Sequence, residues 1–425
     1  MLILAKLGGF GHCLGQYTPW LHVFKVLSFN LKYLVLIIDG AADWPLEDRG
    51  GKTCLELART PGLDSMAREG LVGLARTVPD GMEPSSACAC MSIMGYDPEK
   101  YFSGRGPIEA KSMGIPLAEG EVAFRCNLVA VRGGRMWSYC AGHITDAESH
   151  AIIDSLNEKL GDGRICFYPG VGYRHICTIK DGQTCLEAVC TPPHDITDQP
   201  ITEFLPHGAG SNPLIDIMER SRAIIENHPV NVARKSCGDI PASMVWLFWG
   251  GGGIPDFPSF RKRFELRAAM TSGVDLLKGL AALAGMTVLE IPGVTDNIDN
   301  DHSAQGEGAL EALEKHDIVF IHIEAPDEAA HEGRIDQKIE AMEQIDRLVI
   351  SRLRSWQDAE LRVLVLPDHA TPIKVMTHTP DPVPFVFWGP GFESNGARSF
   401  SESSAAETGL FIERGHELAE MLVRR

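Results

Sequence analysis

The stretch Tyr33-Leu34-Val35-Leu36-Ile37-Ile38-Asp39-Gly40 decides how the fold is read. A short apolar run without a polar break suits a strand buried on both faces, as in parallel sheets. It ends in a carboxylate, and open α/β sheets hold their ligands at the carboxyl ends of strands. Thr60-Pro61-Gly62 then opens a helix that continues through Met66 to Glu69. Outward from there, strands are expected over 244–249, 287–291, 318–323, 362–366 and 384–388. Helices are expected over 274–284, 304–315, 337–354 and 413–423. Strands alternating with helices predict an α/β fold, a mostly parallel sheet flanked by helices.

Residues 116–239 read differently, with shorter strand-like pieces, Gly- and Pro-rich turns, and loops over 191–198 and 206–213. They predict an α+β domain inserted into the first, which then comprises 31–115 and 240–425, with hinges near Ile115 and Ile240. Residues 1–30 are apolar without period and contain Gly8, Gly9, Gly11 and Gly15. They read as an extension ahead of the ordered protein, either from a start codon set too far upstream or as an arm packed on the surface.

Composition narrows the function classes. At 425 residues, 44% hydrophobic and 23% charged, the chain has room for about two to three domains of ordinary globular composition, which excludes disorder, collagen and coiled coil. No apolar run reaches the roughly 18 residues of a membrane-spanning helix. Asp plus Glu number 57 against 39 Lys plus Arg, a net −18 that repels nucleic acid and anionic lipid. A local cluster of Arg and His still accepts an anionic substrate. The 11 cysteines and the absence of a secretory start point to reduced thiols in the cytoplasm. Cys88-x-Cys90 has no second pair at zinc-binding spacing. Gly51-Lys52-Thr53 lacks the upstream glycine of a phosphate-binding loop, because that position is Leu46. Gly250 to Gly253 matches no dinucleotide fingerprint and is expected as a flexible turn.

Two more strand-like runs end in chemistry-bearing residues. One leads into Glu324-Ala325-Pro326-Asp327-Glu328-Ala329-Ala330-His331, the other into Pro367-Asp368-His369, with His378 nine residues on. On a helix opened by Pro326, Asp327 and His331 lie one turn apart on one face. Asp368 and His369 are adjacent and must diverge, which suits two neighbouring ions. Carboxylates with imidazoles fit Mn²⁺ or Zn²⁺, and Mg²⁺ less well where His dominates; Mg²⁺ and Co²⁺ stand as the alternatives. The small-residue stretch after Pro84, Ser85-Ser86-Ala87-Cys88-Ala89-Cys90, looks like a helix start. There a serine hydroxyl either meets phosphate beside unpaired N–H groups or serves as a plain N-cap.

Together these segments resemble the archaeal-type cofactor-independent phosphoglycerate mutases of the alkaline phosphatase superfamily. The likeness runs through Ile38-Asp39-Gly40, Ser92 to Pro98, Gly104-Arg105-Gly106-Pro107-Ile108-Glu109-Ala110, Ala123-Phe124-Arg125-Cys126-Asn127-Leu128, Ala141-Gly142-His143-Ile144, Ala325 to His331, Asp368 to Pro372 and His378 to Pro384. It implies an alkaline-phosphatase-like fold and two divalent metal ions, with no 2,3-bisphosphoglycerate. One ion would be held by Asp39, Ser86, Asp368 and His369, the other by Asp327, His331 and His378. Ser86 would be the nucleophile, and Arg105, Arg125, His143, Arg174 and His175 would bind a small phosphorylated metabolite under the inserted lid. Family members commonly read Gly-Ser-Asp-x-Ala-Asn at the nucleophile, so the Asp and Asn are absent here. The turn at Gly250 and the stretch Thr295 to Asp299 also depart from the pattern. The implied reaction interconverts 3-phosphoglycerate and 2-phosphoglycerate through a phosphoserine. The alternatives are a homoserine-kinase-like phosphotransferase, which residues 190–197 and 218–231 resemble, a phosphatase, or a non-catalytic binding relative.

Overall fold

The computed structural model describes residues 31–253, 257–357 and 360–424; the extension at 1–30 lies outside them. The strands are β1 (Lys32–Ile38), β2 (Leu71–Ala75), β3 (Val122–Arg132), β4 (Arg135–Ser138), β5 (Ile165–Tyr168), β6 (Arg174–Ile179), β7 (Met244–Gly252), β8 (Ala268–Thr271), β9 (Thr287–Val288), β10 (Ile318–Ile323), β11 (Leu361–Leu366), β12 (Val383–Trp388) and β13 (Phe411–Ile412). Eight of them form one sheet in the order β13-β2-β12-β11-β1-β10-β8-β9. β1 pairs in parallel with β10 and β11, and β8 in parallel with β10 and β9; β12 alone runs antiparallel to its two neighbours, β11 and β2.

β1 is apolar throughout because both of its faces are covered. Leu34, Leu36 and Ile38 enter one core, while Tyr33, Val35 and Ile37 enter the other. The first core is closed by helices Pro61–Glu69, Ile335–Ile345 and His302–Ala312, and the second by Ser86–Ile93, Asp275–Leu283 and Leu418–Val423. The helix expected over 337–354 is interrupted by a π-helical turn, Asp346–Ile350. That turn aims the Asp346 carboxylate at the first turn of Pro61–Glu69, where it accepts from Gly62 N–H at 3.1 Å and Leu63 N–H at 2.7 Å.

The second sheet is antiparallel: β5 pairs with β6 and β6 with β3, and the long β3 also pairs with β7 and, at its end, with β4. This corrects one expectation. The run at 244–249 does not join the parallel sheet; as β7 it pairs with β3 from Val122 to Val129. The chain thus leaves the smaller sheet after Gly252 and not at Ile240. Periodicity could not separate the two placements, because β7 is buried on both faces like the parallel strands. Nor is Gly250 to Gly253 a free turn, since β7 runs through Gly252. A Cβ on Gly251 would lie 2.3 Å from the Ser103 carbonyl oxygen, so glycine there lets the segment before helix Arg105–Ser112 approach the strand. The ten cysteines among the described residues are free thiols. No helix among the described residues is long and apolar enough to cross a membrane.

Candidate active site

Three neighbouring parallel strands deliver the acidic residues. Ile38 lies opposite Ile323 of β10, and Ile37 opposite Leu366 of β11. The residues that follow, Asp39, Glu324 and Asp368, therefore leave the sheet at one edge. Helix Ala325–His331 starts there with Pro326 in its first turn. Its spacing brings His331 Nε2 to 3.1 Å from Asp327 Oδ2. Ser86 opens helix Ser86–Ile93, and Ser85 is the N-cap, its Oγ accepting from Cys88 N–H at 3.3 Å. Every residue from Ala87 to Ile93 is buried, which fixes the helix start against the sheet edge.

Gly40 adopts φ 61°, and a Cβ there would lie 2.2 Å from Asp327 Oδ1. Only glycine combines that left-handed turn with that approach. Its N–H donates to Asp368 Oδ1 at 3.2 Å. Behind the site Lys338, fully buried, donates to Asp43 Oδ2 at 3.0 Å and to the carbonyl oxygens of Ala42 and Thr371 at 3.2 and 2.9 Å. One ammonium thereby ties the loop after β1 to the loop after β11.

His369 Nε2 lies 3.2 Å from Ser86 Oγ, 3.3 Å from Asp368 Oδ2 and 3.6 Å from Asp39 Oδ1. Thr371 Oγ1 donates its one proton to Asp327 Oδ1 at 2.5 Å, so toward His369 Nδ1, 3.2 Å away, it can only accept. Nδ1 then carries the proton and Nε2 presents a lone pair. Burial brings the His369 pKa down to about 4, which keeps the ring neutral.

The second set has the same logic. His331 Nδ1 donates to the Met376 carbonyl at 3.0 Å and His378 Nδ1 to the Pro84 carbonyl at 3.4 Å. Their Nε2 atoms face each other at 2.9 Å, with Asp327 Oδ2 3.1 and 3.5 Å away. With both rings neutral, two lone pairs and a carboxylate aimed at one point repel, and the charge that relieves this is either a proton on Nε2 or a metal ion that displaces it. Burial pushes the Asp327 carboxyl up, but the hydrogen bonds from His331 and His378 win and hold it well below the usual carboxylate range. The same hydrogen bond raises His331 to about 9. Asp39 moves the other way: burial, then the Asp368 and Asp327 carboxylates, push it well up, and its Oδ1 has no hydrogen-bond partner. Mixed carboxylate and imidazole donors, each imidazole oriented through its other nitrogen, are the chemistry of divalent-cation sites. Asp39, Asp327 and His369 form one candidate ligand group and Asp327, His331 and His378 another. The seven residues singled out as ligands thus meet at this edge, with Asp327 common to both groups.

One residue of the site went unnoticed in the sequence. His322 Nε2 lies 2.8 Å from Asp39 Oδ2. It is the one imidazole inside the apolar run of β10, and that was the signal that could have found it. Cys90, where the family pattern has Asn, places Sγ 3.8 Å from Asp368 Oδ2. Its thiol is pushed well up by burial and then by Asp368, so it is protonated.

Arg105, Arg125, Arg174 and His175 line one cavity of about 140 Å³ between the two sheets, with Asp275 and Asp296 on the opposite wall. Arg105 stacks on Trp249 at 3.8 Å from the ring centroid. Glu109 Oε1 holds Arg125 at 2.6 Å and Arg105 at 3.7 Å. Gly170 N–H donates to His175 Nδ1 at 3.0 Å, so the proton of the ring is on Nε2, which has no partner. Burial lowers the His175 pKa to about 3, leaving a neutral donor among guanidinium groups. His143 is exposed and lies outside this cavity, so the structure does not bring it to the other four.

Comparison with known proteins gives this arrangement a family. A family model described as 2,3-bisphosphoglycerate-independent phosphoglycerate mutase matches residues 67–231. A 2,3-bisphosphoglycerate-independent phosphoglycerate mutase of Methanothrix thermoacetophila is 50% identical over 92% of this chain and 100% of its own length. One from Methanosarcina barkeri is 45% identical over 93% of this chain and 100% of its own length. Among solved structures, the cofactor-independent phosphoglycerate mutase of Thermoplasma acidophilum superposes with a TM-score of 0.63 at 26% identity, covering 92% of this chain and 99% of that one. With this identity sustained along nearly the whole of both chains, the protein belongs to the family of 2,3-bisphosphoglycerate-independent phosphoglycerate mutases.

Proposed function

We propose that the protein interconverts 3-phosphoglycerate and 2-phosphoglycerate, with Ser86 carrying the phosphoryl group between the two hydroxyls of glycerate. The observation that supports this most is the Ser86 hydroxyl set 3.2 Å from the bare Nε2 of His369, at the start of a buried helix. Unpaired N–H groups at a helix start favour phosphate. Two divalent cations, Mn²⁺ or Zn²⁺ in this reading, would be held by Asp39, Ser86, Asp368 and His369 on one side and Asp327, His331 and His378 on the other. Bound there, they would lower the pKa of the serine hydroxyl and screen its repulsion from phosphate. Thr371 fixes the tautomer of His369 and the orientation of Asp327, and Lys338 holds Thr371 in place.

The cavity under the smaller sheet would receive the glycerate carboxylate, while the phosphoryl group meets Ser86. Arg105, Arg125 and Arg174 supply charge there and His175 Nε2–H supplies a neutral donor. A phosphoserine must be shielded from water or hydrolysis competes with transfer. The smaller sheet is the natural cover, with a hinge near Ile115. Such an enzyme works on a soluble metabolite in a reduced, cytoplasmic setting. Purified protein loaded with Mn²⁺ and given 3-phosphoglycerate, without 2,3-bisphosphoglycerate, is expected to yield 2-phosphoglycerate. Release of inorganic phosphate instead, or phosphorylation of homoserine from ATP with no mutase turnover, would replace this reading.

A further inference from the structure

We propose that Trp249 is a positioning residue of the reaction: its indole fixes the guanidinium of Arg105 where the glycerate carboxylate is to be met. The inference rests on the mutase reading above. Trp249 sits at a bulge in β7. Ala123 lies opposite Gly251 and Arg125 opposite Phe248, so Trp249 and Gly250 together face the one residue Phe124. An extra residue of this kind re-aims a side chain out of the strand's alternation. Trp249 adopts φ 47°, a left-handed conformation that is costly for a bulky residue. Strain of this sort collects where ligands bind.

The re-aimed ring meets the cations of the cavity. Its centroid is 3.8 Å from Arg105 Cζ and 5.9 Å from Arg125 Cζ. Phe248 and His194 brace it, with ring centroids 4.6 and 5.5 Å away. Polar contacts do little to hold Arg105. Its Nε is buried without a hydrogen-bond partner, and Glu109 Oε1, 3.7 Å from Nη2, is beyond hydrogen-bond reach. That oxygen is engaged by Arg125 at 2.6 Å. Burial brings the Arg105 pKa down to about 10, so the group remains a cation that an aromatic face attracts. Stacking uses the face of a guanidinium and leaves its in-plane N–H groups for an anion, whereas a paired carboxylate would occupy them. The indole therefore orients Arg105 without competing with substrate.

Kinetics with 3-phosphoglycerate test this in Mn²⁺-loaded wild type, Trp249→Gly, Trp249→Phe, Arg105→Ala and the double variant Arg105→Ala/Trp249→Gly. Glycine accepts the left-handed backbone without strain, so Trp249→Gly removes the ring and keeps the bulge. Its KM should rise by about 3–30-fold, the worth of a cation–π contact, with kcat nearly unchanged. Trp249→Phe keeps an aromatic face and should recover most of the loss. In the Arg105→Ala background, Trp249→Gly should lower kcat/KM no further. An unchanged KM in Trp249→Gly would overturn the inference and leave the mutase reading standing. So would a fall in kcat alone, or the same loss with and without Arg105. A wild type that does not interconvert the two phosphoglycerates would overturn both. Should Trp249→Gly fail to fold, Trp249→Leu takes its place with the same expectations.

Discussion

Asp327→Asn isolates the electrostatics that would assemble the metal centre. In the metal-free protein Asp327 Oδ2 sits 3.1 Å from His331 Nε2, and this hydrogen bond is the main reason that His331 titrates at about 9 rather than near 6.5. A difference of this size corresponds to roughly 3 kcal/mol between the two protonation states before screening. The His331 side chain is 35% exposed, so solvent screens part of this, and we expect the variant to lower the His331 pKa by about 1–2.5 units. The sign follows from linkage: a histidine whose folded pKa is raised gives the metal-free protein stability that is full below about 6.5 and is lost as pH rises through about 9. A metal ion bound at Nε2 should abolish this titration, because ion and proton compete for one lone pair. Imidazole resonances of metal-free wild type and Asp327→Asn, followed by NMR from pH 5 to 10, check the argument. A wild-type His331 titrating near 6.5, or an unchanged pKa in the variant, would refute it.

Gly40→Ala should fold with reduced stability and lose ion binding, because its Cβ would fall 2.2 Å from Asp327 Oδ1; metal content after dialysis reads the effect. Lys338→Met leaves Asp43 buried without its cation and should cost about 3–5 kcal/mol in denaturant unfolding. Ser86→Ala should reduce turnover by several orders of magnitude in a mutase assay while leaving the fold intact. Ser85→Gly removes only the cap to Cys88 and should cost a few tenths of a kcal/mol in thermal unfolding, with activity largely retained.

The parallel sheet and its reactive edge were legible because burial on both faces forces unbroken apolar runs, and the residue after each run must emerge at the crevice. Asp39, Asp327 and Asp368 follow from that reading, and the i, i+4 spacing added His331. His322 was hidden by the same rule. Inside a buried strand it counted as one more residue of the run, and only the register β1 to β10 reveals that it faces Asp39. β7 was assigned to the wrong sheet because an antiparallel strand covered on both faces has no alternation to distinguish it. The cavity residues were recoverable only as a list of cations. That Arg125 answers to Glu109, and that His175 is neutral, depends on partners far away in the chain. His143 shows the limit of such a list, since its side chain lies outside the cavity.

The central claim is that Ser86 carries the phosphoryl group. Wild-type protein loaded with Mn²⁺ and turning over 3-phosphoglycerate can be quenched in acid, digested and mapped by mass spectrometry. The account predicts one phosphoryl group on the peptide containing Ser85 and Ser86, assigned by fragmentation to Ser86 and absent from Ser86→Ala. Phosphate on Ser85, or turnover persisting in Ser86→Ala, would contradict it.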